Sequence, residues 1–219
     1  MLGVDGCPDG WVGARWDGTH LTLHHAVSID HLLIAAGRPD TVAVDIPIGL
    51  LDATARRADE TARKFLGAKG SSVFPAPTRA VLAAGNYADY AAANELNRKV
   101  SSRGLSRQSF GLLRKIAEVE TWRHTCGVAV HEVHPEVAFQ VLAGRPLRAG
   151  KKTWTGAGER RALLAGAGLH PPEDVNLRGA GVDDVIDACV LAWSALRIVA
   201  GTAVTFPPNP TPGEPIIHA

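Results

Sequence analysis

The chain has 219 residues, 46% hydrophobic and 21% charged, with a formal net charge of +1, which is enough apolar material for the full core of one soluble globular domain. No apolar run approaches the ~20 residues of a membrane span, and Asp5 and Asp9 stand where a secretory leader would be basic and then apolar, so a cytoplasmic protein with no membrane attachment is expected. Cys7, Cys126 and Cys189 are odd in number and form no C-x-x-C pair, which excludes a disulfide framework or structural zinc site and leaves them as small buried residues.

In chain order, Leu2 to Asp5, Trp11 to Trp16 and His20 to Ala26 read as strands. They are joined by the turn-rich segment from Gly6 to Gly10 and by Asp17-Gly18, so an antiparallel meander is expected. Ser28 can cap a helix running through Ala36 toward Gly37, and Pro39-Asp40 leads into a buried strand from Thr41 to Ile46. A strand, helix, strand step implies a parallel neighbour.

After Pro47 and Gly49 strand character stops, and a helical insertion of about residues 52–125 is expected, with helices at Ala55 to Leu66, Tyr87 to Lys99 and Gln108 to Trp122. The sheet resumes at Val128 to Val133, followed by helices from Pro135 through Leu142 and from Glu159 to Ala165. A last long helix starts near Val182, where Val185, Cys189, Ala192 and Leu196 recur at helical spacing. The tail, residues 207–219, is Pro-rich and expected to be extended and poorly ordered, with Ile216 and Ile217 able to dock back. One domain spans 1–219 on this reading.

Charge is distributed unevenly along that order. Between Ala55 and Thr125 there are 13 Lys/Arg against 6 Asp/Glu, a local +7, while the remainder carries −6. A basic insert beside an acidic site suits an enzyme that cuts a polyanion, although an Arg-rich solvated surface has the same composition. Arg79, Arg103, Arg107 and Arg114 are the candidate nucleic-acid contacts.

The acidic candidates are Asp5 and Asp45 at two strand ends and Asp183, Asp184 and Asp187 in the first turns of the last helix. Carboxylates at the ends of buried strands are costly without partners, and several together call for a divalent cation. Oxygen ligands suit Mg²⁺ or Mn²⁺. Singly, each has a bland explanation: Asp5 and Asp45 can shape turns, and acids in a first helical turn are favoured by the macrodipole. Auxiliary candidates are Glu132, His134 and Glu136, which could position a water or shuttle a proton, and Lys152, which could hold a phosphate oxygen.

His131-Glu132-Val133-His134 is one residue short of H-E-x-x-H and lies on a strand, so a zinc protease is rejected. Ser71-Ser72 and Gly156-Ala157-Gly158 lack the context of a nucleophile elbow or a phosphate-binding turn and read as loops.

The element order resembles the ribonuclease H-like fold, an α/β arrangement whose mixed sheet joins three antiparallel meander strands to parallel ones. The phrases Val4-Asp5-Gly6-Cys7 with Gly10-Trp11, Asp45-Ile46-Pro47-Ile48-Gly49, Ser71-Ser72-Val73-Phe74 with Pro77 and Arg79, Glu132-Val133-His134-Pro135-Glu136, and Asp183-Asp184 with Asp187-Ala188 are similar to those of the domain of unknown function 429 family. That resemblance implies a predicted nuclease with nucleic acid as partner. It makes Asp5 the first-strand ligand bridging two metal ions, Asp45 its neighbour, and Asp184 and Asp187 counterparts of the helix aspartates of RuvC-like junction resolvases. A homodimer stays open because junction-cutting enzymes of this fold work as dimers.

A ribonuclease H glutamate on the first helix has no counterpart, since that helix offers only Asp30. The expected function is a metal-dependent phosphodiester hydrolase, with two ions activating water and stabilising the in-line transition state. The alternatives are a noncatalytic nucleic-acid or protein-binding module on this fold and an actin-like or sugar-kinase-type phosphotransferase. The last normally needs a second such domain.

Overall fold

The computed structural model describes residues 1–177 and 179–219. Five strands, β1 (Leu2–Cys7), β2 (Gly10–Trp16), β3 (Leu21–Ala26), β4 (Thr41–Val44) and β5 (Ala129–Glu132), form one sheet in the order β3-β2-β1-β4-β5. β1, β2 and β3 pair antiparallel, while β4 runs parallel to β1 and β5 parallel to β4. This is the mixed sheet of a ribonuclease H-like arrangement, as the order of elements led us to expect.

Among the described residues the α-helices are α1 (Ile29–Ala35), α2 (Arg57–Leu66), α3 (Arg79–Ala83), α4 (Tyr90–Ser101), α5 (Arg107–Gly111), α6 (Leu113–Trp122), α7 (Pro135–Ala143), α8 (Trp154–Gly166) and α9 (Val182–Val199). None of them is long and apolar enough to cross a membrane. The chain falls into two compact units, one made of residues 1–45, 122–204 and 218–219, the other of residues 46–121 and 205–217.

In the first unit α9 packs on β1, β2 and β4, and α1 packs on β2 and β3. Strand parity assigns these helices to opposite faces. A side chain on Gly3 would strike the α9 backbone, 2.1 Å from the Ala188 carbonyl oxygen and 2.2 Å from the Ala192 nitrogen, so β1 and α9 meet backbone to backbone there. The neighbouring Leu2 and the α1 residue Leu32 meet around Gly13 instead. Asp5, two residues beyond Gly3, therefore faces α9.

The second unit holds α2 to α5 and most of α6, with a core of Val81, Ala93, Leu105 and Leu113. Buried Asn97 ties two of its loops by accepting from the Thr78 amide at 3.1 Å and donating to the Arg103 carbonyl at 2.9 Å. Arg56, 2% exposed, is paired with Asp59 at 3.2 Å.

Several expectations need correction. The tail is not loose, because Ile217 and Ala219 are buried and Val204 and Ala219 exchange two backbone hydrogen bonds of 2.7 and 2.9 Å. Two short strands, β6 (Thr205–Phe206) and β7 (Ile217–His218), were not foreseen. The helix expected over Gln108 to Trp122 is broken at Leu112 into α5 and α6. Ser71-Ser72 closes a 3₁₀ turn spanning Gly67–Ser72 rather than lying in an open loop.

Gly156-Ala157-Gly158 is the first part of α8, which starts five residues before the expected Glu159. The physical reason is a close approach. A Cβ at Gly156 would lie 2.0 Å from the Gly150 carbonyl oxygen, so glycine here serves packing at the cost of helix propensity.

Candidate active site

The parallel register sets Val4 opposite Val44, and the Asp45 amide donates to the Val4 carbonyl at 3.1 Å, so the backbones of Asp5 and Asp45 continue side by side. Asp5 is buried and accepts from the Gly6 amide at 2.8 Å. Asp187, 1% exposed, comes down from α9 one residue before the Ala188 contact with Gly3. Three acids from distant parts of the sequence thus share one neighbourhood.

The electrostatics report the same convergence. Burial, then the charges of Asp45 and Asp187, hold the Asp5 carboxyl well above the usual range, with Lys151 opposing and Asp184 adding a smaller push. Burial likewise raises Asp45, against the pull of His134 and Lys151. Asp187 is pushed up to about 7 by burial, with Asp45 adding and Lys151 and Arg160 opposing.

Lys151 is the cation at the centre of this group. Its Nζ donates to Asp187 Oδ2 at 2.6 Å and lies 3.8 Å from Asp183 Oδ2. Burial disfavours its charge, but Asp187, Asp5 and Asp45 outweigh that and raise its pKa above the ordinary lysine value. The Oδ1 atom of Asp187 is buried and has no hydrogen-bond partner among the described residues. An unsatisfied buried carboxylate oxygen is expensive, so it marks a position that a further ligand would relieve.

The loop carrying Lys151 is held by α8. Arg160, 1% exposed, donates to the Ala149 carbonyl at 3.3 Å and the Gly156 carbonyl at 3.0 Å, and it makes a short ion pair with Glu136 of α7. Thr153 caps α8 by accepting from the Gly156 amide at 3.0 Å. Arg160 and the Gly150 to Gly156 contact together fix the direction from which Lys151 enters.

The remaining acids on α9 are spent differently. Asp184 Oδ2 accepts from the Gly181 amide at 2.8 Å, an N-terminal cap, while its charge still reaches Asp5. Burial, opposed by that backbone bond and reinforced by Asp183, raises its pKa. Glu132 is buried at the end of β5, and His134 opens α7 with its charge felt at Asp45. Glu136 is committed to Arg160, and Lys152 is exposed.

Asp30 is directed elsewhere, accepting from the Trp122 indole at 3.2 Å. The cysteines are all free and buried, and burial, then Asp187, pushes the Cys189 thiol up to about 12, so it offers no thiolate.

In the second unit the four arginines have local partners. Arg79 donates to the Leu50 carbonyl at 2.6 Å and lies 3.5 Å from Asp52, and Arg103 lies 3.6 Å from Glu60. Arg107 and Arg114 stand over the rings of Tyr90 and Tyr87 at 3.7 and 5.7 Å. Sequence reasoning passed over Lys151 and Arg160. The adjacent lysines at 151 and 152 were the only available signal for the first, and burial of the second had none.

Among the described residues, no group of three or more His, Cys, Asp or Glu side chains is placed so that it could hold a metal ion as it stands. The donor chemistry nevertheless fits a hard divalent ion: all-oxygen carboxylates, raised by burial and, at Asp5 and Asp187, by their acidic neighbours, with one buried oxygen unpartnered. The sequence model of a family described as Protein of unknown function (DUF429) matches residues 3–212. No curated protein and no solved structure matches the chain.

Proposed function

The chain belongs to the DUF429 family, and from its site we propose that it is a metal-dependent phosphodiester hydrolase, a nuclease. The observation that carries this reading is the gathering of buried Asp5 and Asp187 with half-buried Asp45 in one neighbourhood, each carboxyl raised by burial. Such a cluster is costly to fold unless positive charge neutralises it, and Lys151 supplies one unit where three carboxylates would carry three.

Asp5, Asp45 and Oδ1 of Asp187 would hold Mg²⁺ or Mn²⁺, which when bound supplies water activation and stabilises charge on the phosphoryl oxygens. The chain's own residues do the rest. Lys151, cationic at every physiological pH, is placed to hold a nonbridging phosphate oxygen. Its anchor on Asp187 Oδ2 leaves Oδ1 as the side of that carboxylate available to a ligand. His134, close enough for its charge to act on Asp45, can carry a proton to or from a phosphate oxygen.

The test is Mn²⁺-dependent cleavage of single-stranded, duplex and DNA–RNA hybrid substrates by wild type and Asp5→Asn. Cleavage by wild type alone is expected. Equal cleavage by both proteins, or none by wild type with any divalent ion, ends the assignment.

A second reading is favoured by one observation, the Lys151 to Asp187 ion pair that already neutralises part of the cluster. A protein that kept the fold and lost the chemistry would keep such a pair as structure. It would bind nucleic acid in EDTA and in Mn²⁺ alike and cut in neither.

A further inference from the structure

Lys151 also borders an open cleft of about 900 Å³, lined besides by Lys152, Trp154, Arg161, Glu173 and Asp183 among others. Trp154 is 95% exposed. Tryptophan is usually well buried, and this ring has no packing task in the fold. Its backbone, by contrast, is rigid: it is the first residue of α8, just after the Thr153 cap and just before the tight contact of Gly156 with the Gly150 carbonyl. A flat aromatic surface is thus held in water by a fixed support.

The charges around it are arranged for an anion. Three cations face two carboxylates in the lining, and one of those carboxylates, Asp183, is matched by Lys151 at 3.8 Å. Among the described residues the side chains of Lys152 and Arg161 make no hydrogen bond or ion pair with the chain, although the charge of Lys152 is felt at Asp184. Arg161 lies seven residues after Trp154 on α8, two turns along the same face. Lys151 belongs both to this lining and to the carboxylate cluster, so the cleft and the site share that lysine.

We propose that this cleft binds single-stranded polynucleotide, one unstacked base lying on the Trp154 ring and the flanking phosphates on Lys152 and Arg161, so that the strand continues to Lys151. The inference rests on the nuclease reading and assigns it a substrate class. Every base offers a π face, so the contact is tolerant of sequence, and a base paired within a duplex has no free face to give. Phosphates on two otherwise unpaired cations make binding salt-dependent. A protein helix would find only one large apolar side chain here, and flat duplex would be held off by the protruding ring.

The experiment is fluorescence anisotropy with labelled 12-nucleotide oligo(dT) and oligo(U), in EDTA at low salt, so that binding is read without cleavage. Trp154→Ala should weaken both by about 10-fold or more, and Trp154→Phe, which keeps a ring, by no more than about 3-fold. Lys152→Ala and Arg161→Ala should each lower the slope of log affinity against log salt by about 0.7. A duplex of equal length should show no dependence on Trp154.

Equal binding of the oligonucleotides by wild type and Trp154→Ala, no binding at all, or Trp154-dependent binding to phosphatidylserine vesicles in place of oligonucleotide overturns the proposal. The two levels separate cleanly. Mn²⁺-dependent cleavage with an unchanged KM in Trp154→Ala sinks the cleft and spares the nuclease, while Trp154-dependent binding without cleavage in any metal does the reverse.

Discussion

Oδ2 of Asp187 lies 2.6 Å from Nζ of Lys151, while Oδ1 of the same carboxyl is buried with no hydrogen-bond partner among the described residues. One acid therefore has one oxygen satisfied by the chain and one waiting. Replacing Lys151 by Met removes the only satisfied half. Because the lysine side chain is 36% exposed, the cost lies between that of a surface pair and a buried one, about 2 kcal/mol at pH 8. Urea denaturation should show that loss shrinking at pH 5, where the carboxylates take up protons. A loss equal at both pH values would mean that Lys151 acts by packing alone.

The pH dependence of Asp187 has a definite sign. Its carboxyl titrates at about 7 in the folded chain and near the ordinary 3.8 when unfolded, so between those values the folded state binds more protons. Its contribution is fully present below about 4 and is lost as pH rises through 7. The half-buried His218, lowered to about 4 by burial and then His131, works in the opposite direction. The measurement is therefore a difference: metal-free wild type should lose more stability than Asp187→Asn between pH 5 and pH 8. Parallel profiles would remove Asp187 from the buried cluster.

Asp5→Asn separates charge from shape. The substitution relieves repulsion with Asp45 and Asp187, so the metal-free protein at pH 8 should keep its stability or gain about 1 kcal/mol. Wild type at an Mn²⁺ concentration of 100 times Kd should gain about 2.7 kcal/mol, and the variant should gain almost nothing. Thermal denaturation with and without Mn²⁺ reads both effects. Equal Mn²⁺ stabilisation of the two proteins would show that the ion binds elsewhere.

Arg160 is a positioning residue whose loss is felt at the lysine loop. Arg160→Met removes the ion-pair partner of the partly buried Glu136 and the side-chain donor to the carbonyls of Ala149 and Gly156, a cost of about 3 kcal/mol. Adding Glu136→Gln should recover part of the stability, because a partly buried charge no longer facing Arg160 is gone, without restoring the grip on the loop. Cleavage should therefore stay impaired in the double variant after its folding has improved. Recovery of stability and cleavage in parallel would show that Arg160 matters to folding only.

Much of the sheet was legible because its signals are local. Turn residues at Gly6 to Gly10 and Asp17-Gly18 delimit the meander, and the Ser28 cap starts α1, accepting from the His31 amide at 3.3 Å. The aspartates at strand ends were legible as well, since a carboxylate closing an apolar run is conspicuous. What stayed hidden was set by tertiary contact. Nothing in Lys151-Lys152 tells which of two adjacent lysines turns inward, and the Ala149 and Gly156 carbonyls that settle it are recruited by an arginine nine residues away. Gly156-Ala157-Gly158 reads as a loop because propensity sees only the chain itself.

At Gly3 no side chain lies between the strand and the helix above it, so the spacing of Asp5 and Asp187 is set by main-chain atoms touching main-chain atoms. Distances kept in this way do not depend on the bulk of neighbouring residues. The surrounding interior can exchange Val for Ile or Leu for Met over long drift while the gap between the two carboxyl groups keeps its width. Gly3 itself has nothing to trim, and any side chain there would push the two backbones apart.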